Sequence, residues 1–226
     1  MELTYYGHSC FSVTVNQKKL LFDPFISGNE LAKSIDINNI EADYIFISHG
    51  HFDHVADAEQ IAKRTGATLV ASYEIAMWFA AKGIEKYHPM NTGGKWSFDF
   101  GTVKCVTAVH SSCLPDGSYG GNPMGFIIFN DEQNFYYSGD TALTLDMQLV
   151  PLFGETGFAI LPIGDNFTMG MEDAVQAAKM VQTKMVIGIH YDTFGFIKID
   201  QGKAIEFFKN NGLVLKLPAI GETTHL

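Results

Sequence analysis

The chain has 226 residues, 46% of them hydrophobic and 18% charged, with a formal net charge of −10. That length suits one sizeable core, and the composition excludes an intrinsically disordered chain. The acidic balance repels phosphate backbones, so no nucleic acid partner is expected, and no apolar run reaches membrane-spanning length.

The first residues, Met1–Tyr6, lack a basic region ahead of an apolar segment, so no secretory leader is read there. Leu3–Tyr6, Phe11–Val15 and Leu20–Phe22 read as short strands, the last two joined by polar Asn16-Gln17-Lys18-Lys19. Ala42–Ile47 is the near-continuous apolar run expected of a strand covered on both faces. Val55–Thr65 repeats Ala56, Ala58, Ile61 and Ala62 as a helix does, with Gly66 to stop it. Ala67–Ala71 is strand-like, and Ser72 is placed to cap a helix running to Ala81. Ser97–Phe100 and Thr102–Val109 read as antiparallel strands about Gly101, and Ser111–Pro123 as a long loop. Met124–Phe129 and Asn134–Tyr137 form the next hairpin. Then come a helix over Leu145–Leu152, a strand over Phe158–Leu161, a helix over Met171–Gln182 and a strand over Met185–Ile189. A helix over Gln201–Asn210 and a strand over Leu213–Leu217 close the chain.

Each half thus runs strands first, then alternating helix and strand. The expected fold is α/β: a four-layer α/β/β/α sandwich with approximate internal two-fold repetition, one domain over residues 1–226. The cysteines, Cys10, Cys105 and Cys113, are odd in number and show no CxxC spacing. They are expected to be free thiols packed as small hydrophobes, as in a cytoplasmic protein.

The densest chemistry lies in Ser48-His49-Gly50-His51-Phe52-Asp53-His54, directly after the Ala42–Ile47 run. Three imidazoles and a carboxylate in six positions need partners if buried, and divalent ions would satisfy them together. Neighbouring side chains of one short loop cannot enclose a single ion. His49 and His51 can face one ion while Asp53 and His54 face a second, so further ligands must come from elsewhere. Three residues stand at the ends of apolar runs, where site residues gather: His110, Asp140 and His190.

The pattern His-x-His-x-Asp-His, with a strand before it and a helix after it, resembles that of the metallo-β-lactamase-fold hydrolase superfamily. The later His110, Asp140 and His190 match that family's order. The resemblance implies a first metal on His49, His51 and His110, a second on Asp53, His54 and His190, and Asp140 bridging them. Asp23, in Leu21-Phe22-Asp23-Pro24, resembles the family's early aspartate, which accepts a hydrogen bond from a ligating imidazole; a turn-initiating Asp is the plainer reading. Gly7-His8-Ser9 resembles the opening of the branch that includes sugar-lactone hydrolases, and His8 there would contact substrate or protonate a leaving group. A buried His bonded to backbone is the competing reading. Ile163–Gly170 resembles a signature of short, poorly characterised metal-dependent hydrolases. Within it Asp165 and Thr168 would touch substrate or orient ligands, or cap the helix that follows.

The implied reaction is hydrolysis by a hydroxide activated between two divalent ions, with Asp53 and Asp140 also orienting it. Zinc suits the nitrogen-rich ligands, and nickel, manganese and iron fit similar sites. A small lactone, ester or phosphoester is the expected substrate. About 36 residues follow His190, too few for the helical region of a glyoxalase II type thioesterase; no basic clamp of an RNA-processing member is visible, and His51 disfavours a flavo-di-iron enzyme. The alternatives are a metal-binding protein without turnover and a phosphodiesterase acting on nucleotides. Tyr119, Phe126, Phe167, Tyr191 and Phe194 are candidates for an apolar pocket wall, with core packing the commoner use of such residues. Family members often assemble as dimers or rings, so a homo-oligomer is a weak expectation.

Overall fold

The computed structural model describes Met1–Leu226 throughout. The chain opens with an antiparallel meander of β1 (Glu2–Gly7), β2 (Cys10–Val15) and β3 (Lys18–Phe22). The β2–β3 turn places Asn16 and Gln17 at φ of 47° and 64°, the left-handed pair that a tight hairpin requires. β4 (Tyr44–Phe46) leads into helices α1 (Phe52–Val55) and α2 (Ala58–Thr65), then β5 (Thr68–Ala71), α3 (Tyr73–Ala81) and β6 (Tyr87–Pro89). The second half repeats the scheme. β7 (Lys95–Phe98), β8 (Gly101–Thr107), β9 (Met124–Phe129) and β10 (Phe135–Tyr137) are antiparallel neighbours. α4 (Val150–Phe153), β11 (Phe158–Pro162), α5 (Met171–Val181), β12 (Met185–Ile189), α6 (Gln201–Asn210), β13 (Val214–Lys216) and β14 (Thr223–His225) follow.

The strands form two seven-stranded mixed sheets, ordered β14-β1-β2-β3-β4-β5-β6 and β13-β12-β11-β10-β9-β8-β7. In each, a meander continues into three parallel strands. β3 pairs parallel with β4, and β10 pairs parallel with β11. The internal repetition expected from element order is therefore present in the topology.

Period-two alternation builds the layers. Leu20 and Phe22 of β3 pack between the sheets, whereas Leu21 faces the helices of its own half. The inter-sheet core is a block of phenylalanines. Phe22 stacks on Phe11 at 4.6 Å and on Phe46 at 5.0 Å between ring centroids, and meets Phe135 of the opposite sheet at 6.1 Å. Outside one sheet Ile45, Ile47 and Leu69 pack on Ile61, Ile75 and Phe79. Outside the other, Ala159, Leu161 and Val186 pack on Ala174, Val175, Ala178 and Phe208. Helix, sheet, sheet and helix make the four layers.

Several elements depart from the sequence reading for identifiable reasons. The helix expected over Val55–Thr65 is broken at Ala56-Asp57, because the Asp57 carboxylate turns back to accept from Ile26 N at 2.6 Å, Ser27 N at 2.9 Å and the Ser27 hydroxyl. Leu145–Leu152 divides into a 3-10 segment, Leu145–Leu149, and α4, since Pro151 is tolerated only in a helix's first turn. β6 and β14 are short, polar edge strands that carry no alternation to read. Cys10 and Cys105 are buried as expected, but Cys113 is exposed, because the long loop bridges backbone between Cys113 and Tyr119 at the surface. No helix is long and apolar enough to cross a membrane.

Phe22 lies at the centre of this block with no exposed surface. Phe22→Ala is expected to lower unfolding stability by about 3–5 kcal/mol, measured by urea denaturation followed by circular dichroism. A loss under 1 kcal/mol would mean that the sheets are not held by these rings.

Candidate metal centre

The site forms where strand ends from both sheets meet. Beyond β4 the backbone turns at Ser48, whose N–H donates to Asp23 Oδ1 at 2.7 Å and whose carbonyl accepts from Met124 N at 3.1 Å. His49, His51, Asp53 and His54 follow, the last two on α1. His110 lies just past β8, Asp140 just past β10 and His190 just past β12. Gly139, at φ +61°, lets Asp140 reach this position. A Cβ there would lie 2.9 Å from both Met124 O and Ser48 Cβ, so a side chain would push the two halves apart.

The donors expected from sequence converge in two groups. Nitrogens of His49, His51 and His110 lie within 4.8 Å of one another, as do the ligand atoms of His8, Asp53, His54 and His190. Asp140 stands between the groups. Its Oδ2 lies 2.9 Å from His190 Nε2, 3.3 Å from His54 Nε2 and 3.8 Å from His110 Nε2. Within the first group His49 Nε2 is 2.9 Å from His51 Nδ1.

Three of the imidazoles are held by neighbouring side chains. Asp23, fully buried, accepts from His54 Nδ1 at 2.9 Å, from the Ser48 hydroxyl at 2.5 Å and from the Tyr137 hydroxyl at 2.5 Å, besides Ser48 N–H. This holds the His54 ring with Nδ1 donating to Asp23 and turns Nε2 toward Asp140. The expected role of Asp23 behind an imidazole matches this geometry. Ser48 Oγ also meets His49 Nδ1 at 2.9 Å, and Ser111 Oγ meets His51 Nε2 at 3.1 Å.

His8 is buried and bonded through side chains, not only backbone. Nε2 lies 2.9 Å from Asp53 Oδ2 and Nδ1 lies 3.0 Å from Thr193 Oγ1. Its carbonyl accepts from His190 N at 2.9 Å and from the Tyr5 hydroxyl at 3.0 Å, so the turns after β1 and β12 are bonded across the two sheets. Asp165 falls outside the cluster. It is exposed, and its carboxylate accepts from Asn166 N at 2.8 Å, not from a site imidazole. Nor does it cap α5, whose N-cap is Gly170 without a side-chain hydrogen bond. Thr168 Oγ1 bonds back to the carbonyl of Met169 at 3.5 Å.

Burial sets the electrostatics. It pulls His49, His51 and His110 below the usual imidazole range and takes His8 down to about 4, the last helped by neighbouring His190 and opposed by Asp53. Burial also acts to lower His54, but the Asp140 and Asp23 carboxylates outweigh it and hold that imidazole raised. For Asp140 and Asp53 desolvation would favour the neutral acid; His190 and His54 around the first, and His8 and His54 around the second, overcome it and keep both ionised. The backbone is strained at the same places. His8, Asp23, His190 and Asp192 have φ of 54°, 41°, 55° and 63°, a region that non-glycine residues seldom occupy.

Ser48, Ser111, Tyr137 and Thr193 were not singled out in the sequence. Ser48 and Ser111 adjoin site histidines, which is a usable signal. Tyr137 and Thr193 become neighbours of Asp23 and His8 only once the sheets pack.

A bilayered mixed sandwich with histidines and aspartates gathered at its strand ends defines the metallo-β-lactamase type of hydrolase fold. Residues 18–191 match a family model described as Beta-lactamase superfamily domain. The chain is 50% identical over 226 residues to a UPF0173 metal-dependent hydrolase of Flavobacterium johnsoniae, covering 100% of each. It is 47% identical over 223 residues to one from Methylacidiphilum infernorum, covering 99% of each. The chain belongs to this UPF0173 family of metal-dependent hydrolases within the β-lactamase superfamily. Among solved structures it superposes on Igni18, a metallo hydrolase from Ignicoccus hospitalis, with a TM-score of 0.88 at 34% identity, covering 99% of this chain and 97% of that one.

Asp23→Ala would leave the Ser48 N–H, the Tyr137 hydroxyl and His54 Nδ1 without their acceptor in a dry site. A stability loss of about 3 kcal/mol is expected, against about 1 kcal/mol for Tyr137→Phe, both read from urea midpoints. Equal losses in the two variants would deny Asp23 its place as the common acceptor.

Proposed function

We propose that the chain is a hydrolase with two divalent ions, zinc foremost. His49, His51 and His110 hold one ion, Asp53, His54 and His190 the other, and Asp140 serves both. The observation that carries this is a set of deeply buried donors left without partners: His54 Nε2, Asp140 Oδ1 and His190 Nδ1 make no hydrogen bond. Buried polar atoms are normally satisfied, and an unpaired cluster of nitrogen and oxygen donors fits a divalent cation. Sulfur is absent from the set, whereas closed structural zinc sites are rich in cysteine, which favours turnover over binding alone.

When bound, the ions lower the pKa of a coordinated water toward neutrality and polarise the oxygen of the bond to be broken. The protein's share is positioning. Asp23 orients His54, Ser48 orients His49, and ionised Asp53 and Asp140 accept hydrogen bonds from an attacking water and hold it facing the electrophile. His8, near neutral pH an uncharged imidazole, donates to Asp53 and steadies that carboxylate. The substrate is a small lactone, ester or phosphoester.

The test combines metal content with a hydrolysis panel. Protein as purified is expected to carry divalent metal by inductively coupled plasma mass spectrometry and to turn over at least one of a p-nitrophenyl ester, a lactone and bis-p-nitrophenyl phosphate. Asp140→Ala should lose metal and more than about a hundredfold of that activity, while Asp23→Asn should lose on the order of ten- to a hundredfold. Chelation should abolish turnover, and added metal should restore it. Full metal content with no turnover on any compound would leave a binding protein.

A further inference from the structure

The phenylalanines exposed to water are Phe52, Phe153, Phe167, Phe194 and Phe196. Phe153, at the end of α4, lies beneath the Lys104 ammonium, 4.9 Å from its ring. Phe52 opens α1 beyond β4, and Phe167, Phe194 and Phe196 lie on the segments after β11 and β12. Exposed rings gathered over a buried one are unusual on a soluble surface and mark a place that receives something apolar. The wall begins at the centre itself. Phe194 lies 5.3 Å from the His8 ring, and buried Phe25 lies 5.6 Å from His8, 5.8 Å from Phe52 and 6.3 Å from Phe194. Phe167 and Phe196 form a second edge-to-face pair at 6.2 Å.

Charge narrows the ligand further. Lys198 and Lys203 line the cavity beside Asp165 and Phe196, but residues 7–10, 23–29, 48–56, 108–123, 138–144 and 190–197 contain no lysine or arginine. An anionic handle on a substrate would find no countercharge among these side chains. Two carboxylates of these loops already accept hydrogen bonds from the protein itself. Asp192 accepts from Ile199 N at 3.0 Å and Gln201 Nε2 at 2.8 Å, and Asp116 accepts from Ser118 N at 3.0 Å and Trp78 Nε1 at 2.5 Å.

On the reading that this centre hydrolyses a small substrate, we infer that Phe52 and Phe194, over Phe25, form a subsite for the aryl or branched alkyl group of an uncharged carboxylic ester or lactone. In the reaction the acyl C–O bond breaks, the water oxygen joins the acyl carbon, and a proton passes to the departing alkoxide.

Two measurements on the protein as purified test this, one independent of turnover. Saturation-transfer NMR with phenylacetamide, an uncharged and poorly hydrolysed probe, should show transfer to its phenyl protons, and this should vanish in Phe52→Ser/Phe194→Ser. The preference in kcat/KM for methyl phenylacetate over methyl acetate should fall by about tenfold in the same variant. Phe153→Ser, remote from the centre, should alter neither. Binding of phenylacetamide through these rings without hydrolysis of any ester would sink the hydrolase reading and keep the subsite. No transfer to the wild type, equal transfer to the double variant, or an unchanged preference would overturn the subsite. So would dissociation of a wild-type oligomer by the double variant in sedimentation, which would make the rings a contact between copies.

Discussion

One buried carboxylate holds the two sheets and the site in a single arrangement. Asp23 terminates β3, receives the Ser48 N–H and hydroxyl beyond β4, fixes the His54 imidazole on α1, and takes the Tyr137 hydroxyl from the opposite sheet. A buried carboxylate is tolerated only when its lone pairs are filled, and here four donors fill them. Hydrogen bonds of that density have little freedom to shift. The separation of the sheets and the direction of the His54 ring are therefore set by one group, and the centre is rigid because the fold beneath it is.

The topology explains why a centre forms at that place. Each half is a meander continued into parallel strands, and the two halves face one another. Parallel strands deliver their chain ends to a common edge, so loops from both halves meet over the same cleft. The first donor group draws on the loops after β4 and β8. The second draws on those after β1, β4 and β12, and Asp140 after β10 joins them. Neither half carries the complete set of donors, so their convergence depends on the inter-sheet phenylalanine block that joins the halves.

Much of this was legible in the sequence, and what escaped did so for physical reasons. His49, His51, Asp53 and His54 are close in sequence, so their gathering at one place shows in spacing alone. His110, Asp140, His190 and Asp23 each follow an apolar run, and a strand end is a position that sequence can mark. Met124–Phe129, Met185–Ile189 and Gln201–Asn210 were bounded correctly because both faces or one clear stripe is apolar. Tyr137 and Thr193 were invisible because their partners lie far along the chain and are chosen by sheet packing. The break at Asp57 follows from bonds to Ile26 and Ser27, which local helical periodicity cannot report. The polar, glycine-bracketed loop of Asp165 lines a cavity with Phe196 and Lys203, as its composition suggested, while the Asp165 carboxylate accepts from its own turn and not from a site imidazole. Of the aromatics weighed for a pocket wall, Phe126 and Tyr191 are buried, whereas Tyr119, Phe167 and Phe194 reach solvent.

The left-handed backbone at His8, Asp23 and His190 has an evolutionary consequence. At each position glycine would relax the chain and any β-branched residue would tighten it, yet neither can supply an imidazole or a carboxylate. Selection for a hardier protein and selection for a working one therefore pull the same positions in opposite directions. Descendants that lose the chemistry should drift toward glycine there first, so glycine at these places would flag a lineage that keeps the scaffold after abandoning its trade.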